Sequence, residues 1–506
     1  MFWAIIATAL NYGISFLMTP FITESIGIDA YGFVGLANNF VSYIDIIAIA
    51  INSFAARYIA IAYHNDDIEK TNSFFNSVIF ANVILVLLVN IPGSFIIYKL
   101  EHLLTIPSEL TVDVKILFFL VVVNYSINIL GTCFSSIAFI KNRLDITYKN
   151  RGVSSLIYAL ILLFIIFTTK MHVYYLALAN LFAAVFLFIS NFYYSRKLIP
   201  EITINIKLFS PKSIRTVVSS GFWNSINSLG NTLNSGLDLL VTNQFLSSVA
   251  MGQVSVSKQF ATFINAFASL AVNAFQPKQL ECYAKNQKEK LISCLCISMK
   301  CIGIIGNTIF VVFLLVGKSF LTLWIPSQDI NYIYSLCIIV MIGDVIVFGV
   351  KPLYYVFTLT DKLKSVCWIT ILMGTFNVLS MLFLLRNTQL GAYAVVITTM
   401  ILNIFFQFGC TPYLAAKYLS INSSFFYKAV LKHITSCVVS SLIMIVVGKL
   451  VINNDVNDYI TFFANCITIT PLAFACCTLS ELNTSELRFC LKKFINQINN
   501  RVHRSS

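Results

Sequence analysis

Apolar runs close to the length of a membrane span recur from one end of this chain to the other, separated by short polar stretches. ILFFLVVV at 116–123 and SLIYALILLFIIF at 155–167 form the cores of two of them. A helix needs about twenty apolar residues to cross the hydrocarbon core of a bilayer. Inside that core every backbone N–H and C=O must find its partner within the protein, which leaves only helices and closed barrels. Barrel strands would show short segments of alternating polarity, and no such alternation is seen. The expected fold class is therefore an all-α polytopic membrane protein. Composition agrees, since 58% of the 506 residues are hydrophobic and only 11% are charged.

Windows of about twenty residues place fourteen spans, starting near residues 2, 32, 73, 112, 152, 173, 216, 250, 291, 332, 366, 390, 430 and 459. The cations test this reading. Loops after even-numbered spans, with the C-terminal tail, hold 26 of the 34 Lys and Arg, whereas loops after odd-numbered spans hold six. Lys258 and Lys300 fall inside spans. Positive loops stay in the cytoplasm, and a miscounted span would scramble the alternation from that point onward. Both termini are accordingly expected in the cytoplasm. The net charge of +13 reads as membrane orientation, not nucleic-acid binding. The chain opens on MFWAIIATAL, without the basic stretch that a cleaved signal peptide carries. Its 13 Cys and five His show no ligand spacing for a metal, so no cofactor is expected beyond possible coupling to a proton or sodium gradient. The largest outward loop, 99–113, is too short for a catalytic domain, and enzyme activity is not expected.

Sliding the chain against itself by 220 residues aligns 2–73 with 222–293 without a gap and pairs identical residues at sixteen of 72 positions, among them Trp3/Trp223, Gly32/Gly252 and Glu69-Lys70/Glu289-Lys290. Six spans separate the copies, an even number, so both enter the membrane in the same sense. Such a parallel repeat is one of the ways in which transporters are built. It predicts two six-helix lobes, 1–205 and 206–420, then two additional helices at 421–480 and a basic cytoplasmic tail at 481–506.

Span 7, GFWNSINSLGNTLNSGLDLLVTN at 221–243, is the least apolar. Asn224, Asn227, Ser228, Asn231, Asn234, Ser235 and Asp238 recur at spacings of three and four, which puts them on one helical face. Span 8 repeats the pattern with Lys258, Thr262, Asn265, Ser269 and Asn273. The repeat partners do likewise, with Thr8, Asn11, Ser15 and Thr19 in span 1 and Asn38, Ser42, Asp45 and Asn52 in span 2. A single Asn or Ser can be hydrogen-bond glue between helices. Stripes of this length on four repeat-related helices point instead to a water-filled cavity between the lobes. Charges at membrane depth mark functional candidates: Asp45, Asp238, Lys258, Lys300 and Asp344. Arg57, at the cytoplasmic end of span 2, either joins them or, like Lys351, snorkels to the interface. Asp238 and Lys258 are placed to pair. Cations in the cavity suit an anionic solute, and a carboxylate such as Asp45 or Asp344 is able to take up a proton and couple transport to a gradient.

The stretch SIGIDAYGFVGLANNFVSYIDIIAIAINSFAARYIA at 25–60, the polar seventh span and LGAYAVVITTMILNIFFQ at 390–407 give the chain its resemblance to the multidrug/oligosaccharidyl-lipid/polysaccharide (MOP) exporter superfamily. Within that superfamily it most resembles the Wzx-type flippases for repeat units of O-antigen or capsule. The resemblance implies a MATE-like fold in the bacterial cytoplasmic (inner) membrane. It also implies a flippase that carries undecaprenyl-diphosphate-linked oligosaccharide from the inner to the outer leaflet, with other polysaccharide-assembly proteins and membrane lipids as partners. The diphosphate would be drawn by Arg57, Lys258 or Lys300. Two other readings stand beside this one. A cation-coupled drug exporter of the same fold would favour acidic and aromatic linings, and a membrane polymerase or ligase would need a large outer loop bearing Arg or His.

Overall fold

The computed structural model describes residues 2–360, 362–452 and 459–482. The basic tail lies, from residue 483, outside the described residues. Helices dominate the chain and no strand occurs among the described residues. In chain order the long helical segments are α1 (Phe2–Ser25), α2 (Ile28–Asn52, continuing as Ala55–His64), α3 (Ile68–Tyr98), α4 (Thr111–Ile140), α5 (Leu144–Thr168) and α6 (Tyr175–Leu198). There follow α7 (Pro211–Asn231, a π turn Thr232–Gly236, then Asp238–Phe245), α8 (Ser248–Ala284), α9 (Lys288–Trp324) and α10 (Ile330–Val350, extended by Tyr354–Leu359). The last are α11 (Leu363–Asn387), α12 (Ala392–Asn403, a π turn Ile404–Phe408, then Thr411–Leu419), α13 (Ser424–Val451) and α14 (Tyr459–Glu481).

Eleven segments among the described residues are long and apolar enough to cross a membrane. The three remaining segments, α1, α7 and α8, are of crossing length as well but carry three of the four polar stripes. Each expected span start falls within or beside one of these helices. At 1.5 Å per residue, the 37 residues of α8 and of α9 extend about 55 Å, well beyond a hydrocarbon core of about 30 Å. The solvent-side helix starts use ordinary capping. Asp67 Oδ1 accepts the Lys70 N–H at 3.0 Å at the start of α3, and Asp329 Oδ1 accepts the Tyr332 N–H at 3.1 Å at the start of α10. Asp67 lies outside the spans; the Lys70 backbone N–H, then the Lys70 ammonium, hold its carboxyl below the usual carboxylate range.

The chain divides into two compact units. The first comprises residues 1–259 and 363–399, and the second comprises 260–362 and 400–506. In the first unit, α2 and α8 cross at a point where residues equated by the 220-residue offset meet. A Cβ on Gly32 would lie 2.8 Å from Gly252 N, one on Gly252 would lie 2.1 Å from Ile28 O, and one on Gly35 would lie 2.5 Å from Ser255 Oγ. Only hydrogen at Cα permits this approach. The connection from α6 to α7 is stitched to α3 by two amides. Asn72 exchanges bonds with Glu201 O (3.1 Å) and Thr203 N (2.8 Å), and Asn76 with Thr203 O and Asn205 N (both 2.8 Å). These asparagines are buried, and the linker supplies the backbone groups that satisfy them.

In the second unit, α13 is tied to α9 and α10 through the buried His433. Its Nε2 donates to Val345 O at 2.7 Å, while Asn307 Nδ2 donates to His433 Nδ1 and to His433 O, each at 3.2 Å. A carbonyl can only accept, so Nε2 carries a proton. Beyond it, Met444, Ile469, Ala473 and Cys477 pack α13 and α14 onto Ile304 and Val311 of α9.

Candidate functional site

Within the first unit, α2 and α4 wall a cavity of about 360 Å³ lined by Asp45, Asn52, Ser53, Tyr125, Asn128 and Thr132, with Ala48, Ile49 and Ile129 as apolar wall. Its polar groups are held by their own bonds. Tyr125 Oη donates to Asp45 Oδ1 at 2.7 Å. Asn52 and the buried Asn82 of α3 pair reciprocally, amide to amide, at 3.0 and 2.9 Å. Thr132 Oγ1 donates to Asn52 Oδ1 at 3.1 Å, and Asn82 Nδ2 reaches Ile129 O at 3.3 Å. Asn128 Nδ2 donates to Asn124 O and to Asn124 Oδ1 at 3.0 and 2.6 Å. The network is anchored on the buried Asn82 and Asn124, while Asp45, Asn52 and Tyr125 are half-buried and Asn128 and Thr132 exposed; side chains bonded to one another in this way hold each other in place.

The stripe of α7 meets a different fate. Its small residues bury against two neighbours. Gly221 lies where a Cβ would stand 2.2 Å from Ala50 O of α2, and Gly230 where one would stand 2.8 Å from Ile371 N of α11; Ser225 Oγ donates to Ile46 O. Beyond these contacts the helix passes into the π turn, where side chains from three helices donate to three successive carbonyls. Asn377 of α11 donates to Asn234 O. Lys258 Nζ of α8 donates to Ser235 O at 2.8 Å. From α2, Asn39 Nδ2 and Tyr43 Oη donate to Gly236 O at 3.0 and 2.7 Å. Lys258 also forms an ion pair with Asp238, whose side chain is 1% exposed. Asp238 and Lys258 are thus brought together, as their positions suggested, and the pair braces the break.

The other expected site residues are dispersed. Asn227 Oδ1 accepts from Thr370 Oγ1 at 3.3 Å. Asn224 is half-buried and Asn231 exposed; the side chain of Asn11 lies outside the described residues. Arg57 packs its guanidinium 5.9 Å from the Phe54 ring. It lines a separate cavity of about 460 Å³ with Ala60, Ile61, His64, Asn65 and Phe139, which shares no lining residue with that of Asp45. In the second unit, Lys351 Nζ donates to Asn265 O and Oδ1, both at 3.1 Å, and the half-buried Asp344 is near enough to act on Lys351 electrostatically. Lys300 is half-buried on α9. Sequence reasoning passed over Tyr125, Asn82, Asn128, Asn39, Tyr43 and Asn377. Asn82, Asn128 and Asn377 were visible as lone amides in apolar runs; the tyrosines carried no such signal.

Long apolar helices that carry polar, hydrogen-bonded groups define a multi-pass membrane protein. Residues 1–281, more than half of the chain, match the family model for polysaccharide biosynthesis proteins, and the chain belongs to that family. The uncharacterized membrane protein EpsK of Bacillus subtilis (strain 168) is 28% identical over 437 residues, 85% of each chain. An inward-facing multidrug resistance MATE family transporter of the MOP superfamily is similar with a TM-score of 0.70 at 15% identity, over 83% of this chain and 95% of that one. The lipid II flippase MurJ, in an inward closed conformation, is similar with a TM-score of 0.67 at 14% identity, over 94% of this chain and 97% of that one. The fold is MATE-like, as the resemblance implied.

Proposed function

We propose that this protein is a flippase. It moves oligosaccharide units linked to undecaprenyl diphosphate from the inner to the outer leaflet of the bacterial cytoplasmic membrane, for assembly of a surface polysaccharide such as O-antigen or capsule. The observation that carries this reading is the cavity lined by Asp45, Asn52, Tyr125, Asn128 and Thr132 at membrane depth, in a member of a polysaccharide biosynthesis family. Such groups recognise hydroxyls, and no lipid chain would reward their presence there. The flippase named for lipid II among the similar structures supports a lipid-linked substrate. The sugars would pass along polar groups while the isoprenoid tail stays in lipid, and the diphosphate would be met by a cation such as Arg57 or Lys300. Alternating access between the two repeated halves would expose the path first to one leaflet and then to the other. Of the two carboxylates considered for coupling, Asp344 beside Lys351 is assigned to the ion gradient and Asp45 to the substrate. Both termini face the cytoplasm, and a tag at residue 506 that is reached from outside intact cells would refute that orientation.

The decisive experiment depletes the protein in its host and labels lipid-linked oligosaccharide on spheroplasts with a membrane-impermeant glycan reagent. Accumulation on the inner leaflet with loss of surface polysaccharide is expected. Unchanged leaflet distribution would refute the reading in favour of a drug exporter, and unpolymerised units on the outer leaflet would point to a polymerase or ligase.

A further inference from the structure

The hydrogen-bond inventory of the Asp45 cavity limits what it can bind. Tyr125 spends its one proton on Asp45 Oδ1, and Thr132 spends its own on Asn52 Oδ1 and Ile129 O. Asn128 directs its amide N–H groups to Asn124, and Asn52 directs its own to Ala48 O and Asn82 Oδ1. What remains uncommitted on these lining residues is Asp45 Oδ2, Asn128 Oδ1 and the lone pairs of Tyr125 Oη and Thr132 Oγ1, which are all acceptors. Only Ser53 brings a hydroxyl with no such commitment. A ligand must therefore supply the donors. A carboxylate or phosphate, which only accepts, would find no donor but the Ser53 hydroxyl and would meet the charge of Asp45.

Ala48, Ile49 and Ile129 form the apolar part of the lining, suited to the C–H face of a ring, and 360 Å³ lies at the lower end of small-ligand pockets. It is far larger than the shell of a single ion. Resting on the flippase reading above, we infer that this cavity is a subsite for one neutral pyranose of the glycan. Its hydroxyls donate to Asp45 and Asn128, and Asp45 rejects acidic sugars at this position. Asp45 is on this account a specificity-determining residue.

The test uses the full-length protein in nanodiscs and measures binding of methyl β-galactopyranoside, methyl N-acetyl-β-glucosaminide and methyl β-glucuronide by saturation-transfer NMR, in sodium and in choline buffer. At least one neutral glycoside should bind about tenfold more tightly than the glucuronide, the order expected of a like-charge contact. Asp45→Asn, which preserves shape, should bring that ratio near unity. Asn128→Asp, which adds a carboxylate to the same wall, should widen it. Equal binding of neutral and acidic glycosides to the unsubstituted protein would overturn the proposal. So would a ratio unmoved by either substitution, or glycoside binding that sodium alone abolishes, which would mark a cation site. The leaflet assay separates the two readings. Normal flipping without glycoside discrimination refutes the subsite alone, and discrimination without any change in leaflet distribution refutes the flippase.

Discussion

Asp45 and Asp238 are each an aspartate on a polar stripe at membrane depth, and the structure uses them in opposite ways. Asp45 takes one hydroxyl proton from Tyr125 and keeps its other oxygen on an open cavity. Asp238 is closed off, paired with Lys258 beside a helix break where side chains engage three carbonyls. The first arrangement leaves capacity facing an open space; the second is buried, with one oxygen on Lys258 and the other, Oδ1, sealed away from any ligand. Polarity within a membrane helix therefore reveals a function only when hydrogen-bonding capacity is left facing an open space. This follows from the cost of any unpaired polar group in hydrocarbon, which forces each one either to find a protein partner or to face a hydrated space.

Substitutions can break this contrast. The largest effect should come from Lys258→Met, which leaves Asp238 buried without its cation and should cost about 3–5 kcal/mol, read as a fall in the unfolding temperature of the detergent-purified protein. Adding Asp238→Asn should recover a good part of that loss, and a double variant no better than the single one would mean that the pair does not brace the turn. Gly252→Ala should follow at about 1–3 kcal/mol, because its Cβ would meet Ile28 O. Asn82→Ala should cost about 1–2 kcal/mol by opening the reciprocal amide pair with Asn52. The smallest stability effect is expected of Tyr125→Phe, about 0.6 kcal/mol, yet it should lower flipping in the leaflet assay several-fold. A Tyr125→Phe variant as unstable as Lys258→Met, with flipping intact, would place the two aspartates in the same class after all.

The spans were legible because each is a local property of about twenty residues, and their order follows from the apolar runs and the placement of cations. The meaning of the stripes was not local. Tyr125 stands 80 residues from Asp45, and Asn377 stands 143 from Asn234. A stripe records where polar side chains lie, not what occupies the space beside them. The π turn at Thr232–Gly236 was likewise hidden, since the side-chain donors to its carbonyls come from α2, α8 and α11. The Asp238–Lys258 pair could be anticipated because both charges lay inside adjacent spans.

The crossing of α2 and α8 has a consequence for how such a chain can change over generations. Most residues of a duplicated sequence face unlike neighbours in the two copies, and each copy can drift on its own. At Gly32/Gly252 and Gly35/Ser255 a position meets its own counterpart. A bulkier residue in one copy encroaches on the other at the matching site, so neither can diverge there unless the other yields. The place where the two offset-related segments touch is thus the place where their likeness is hardest to erase.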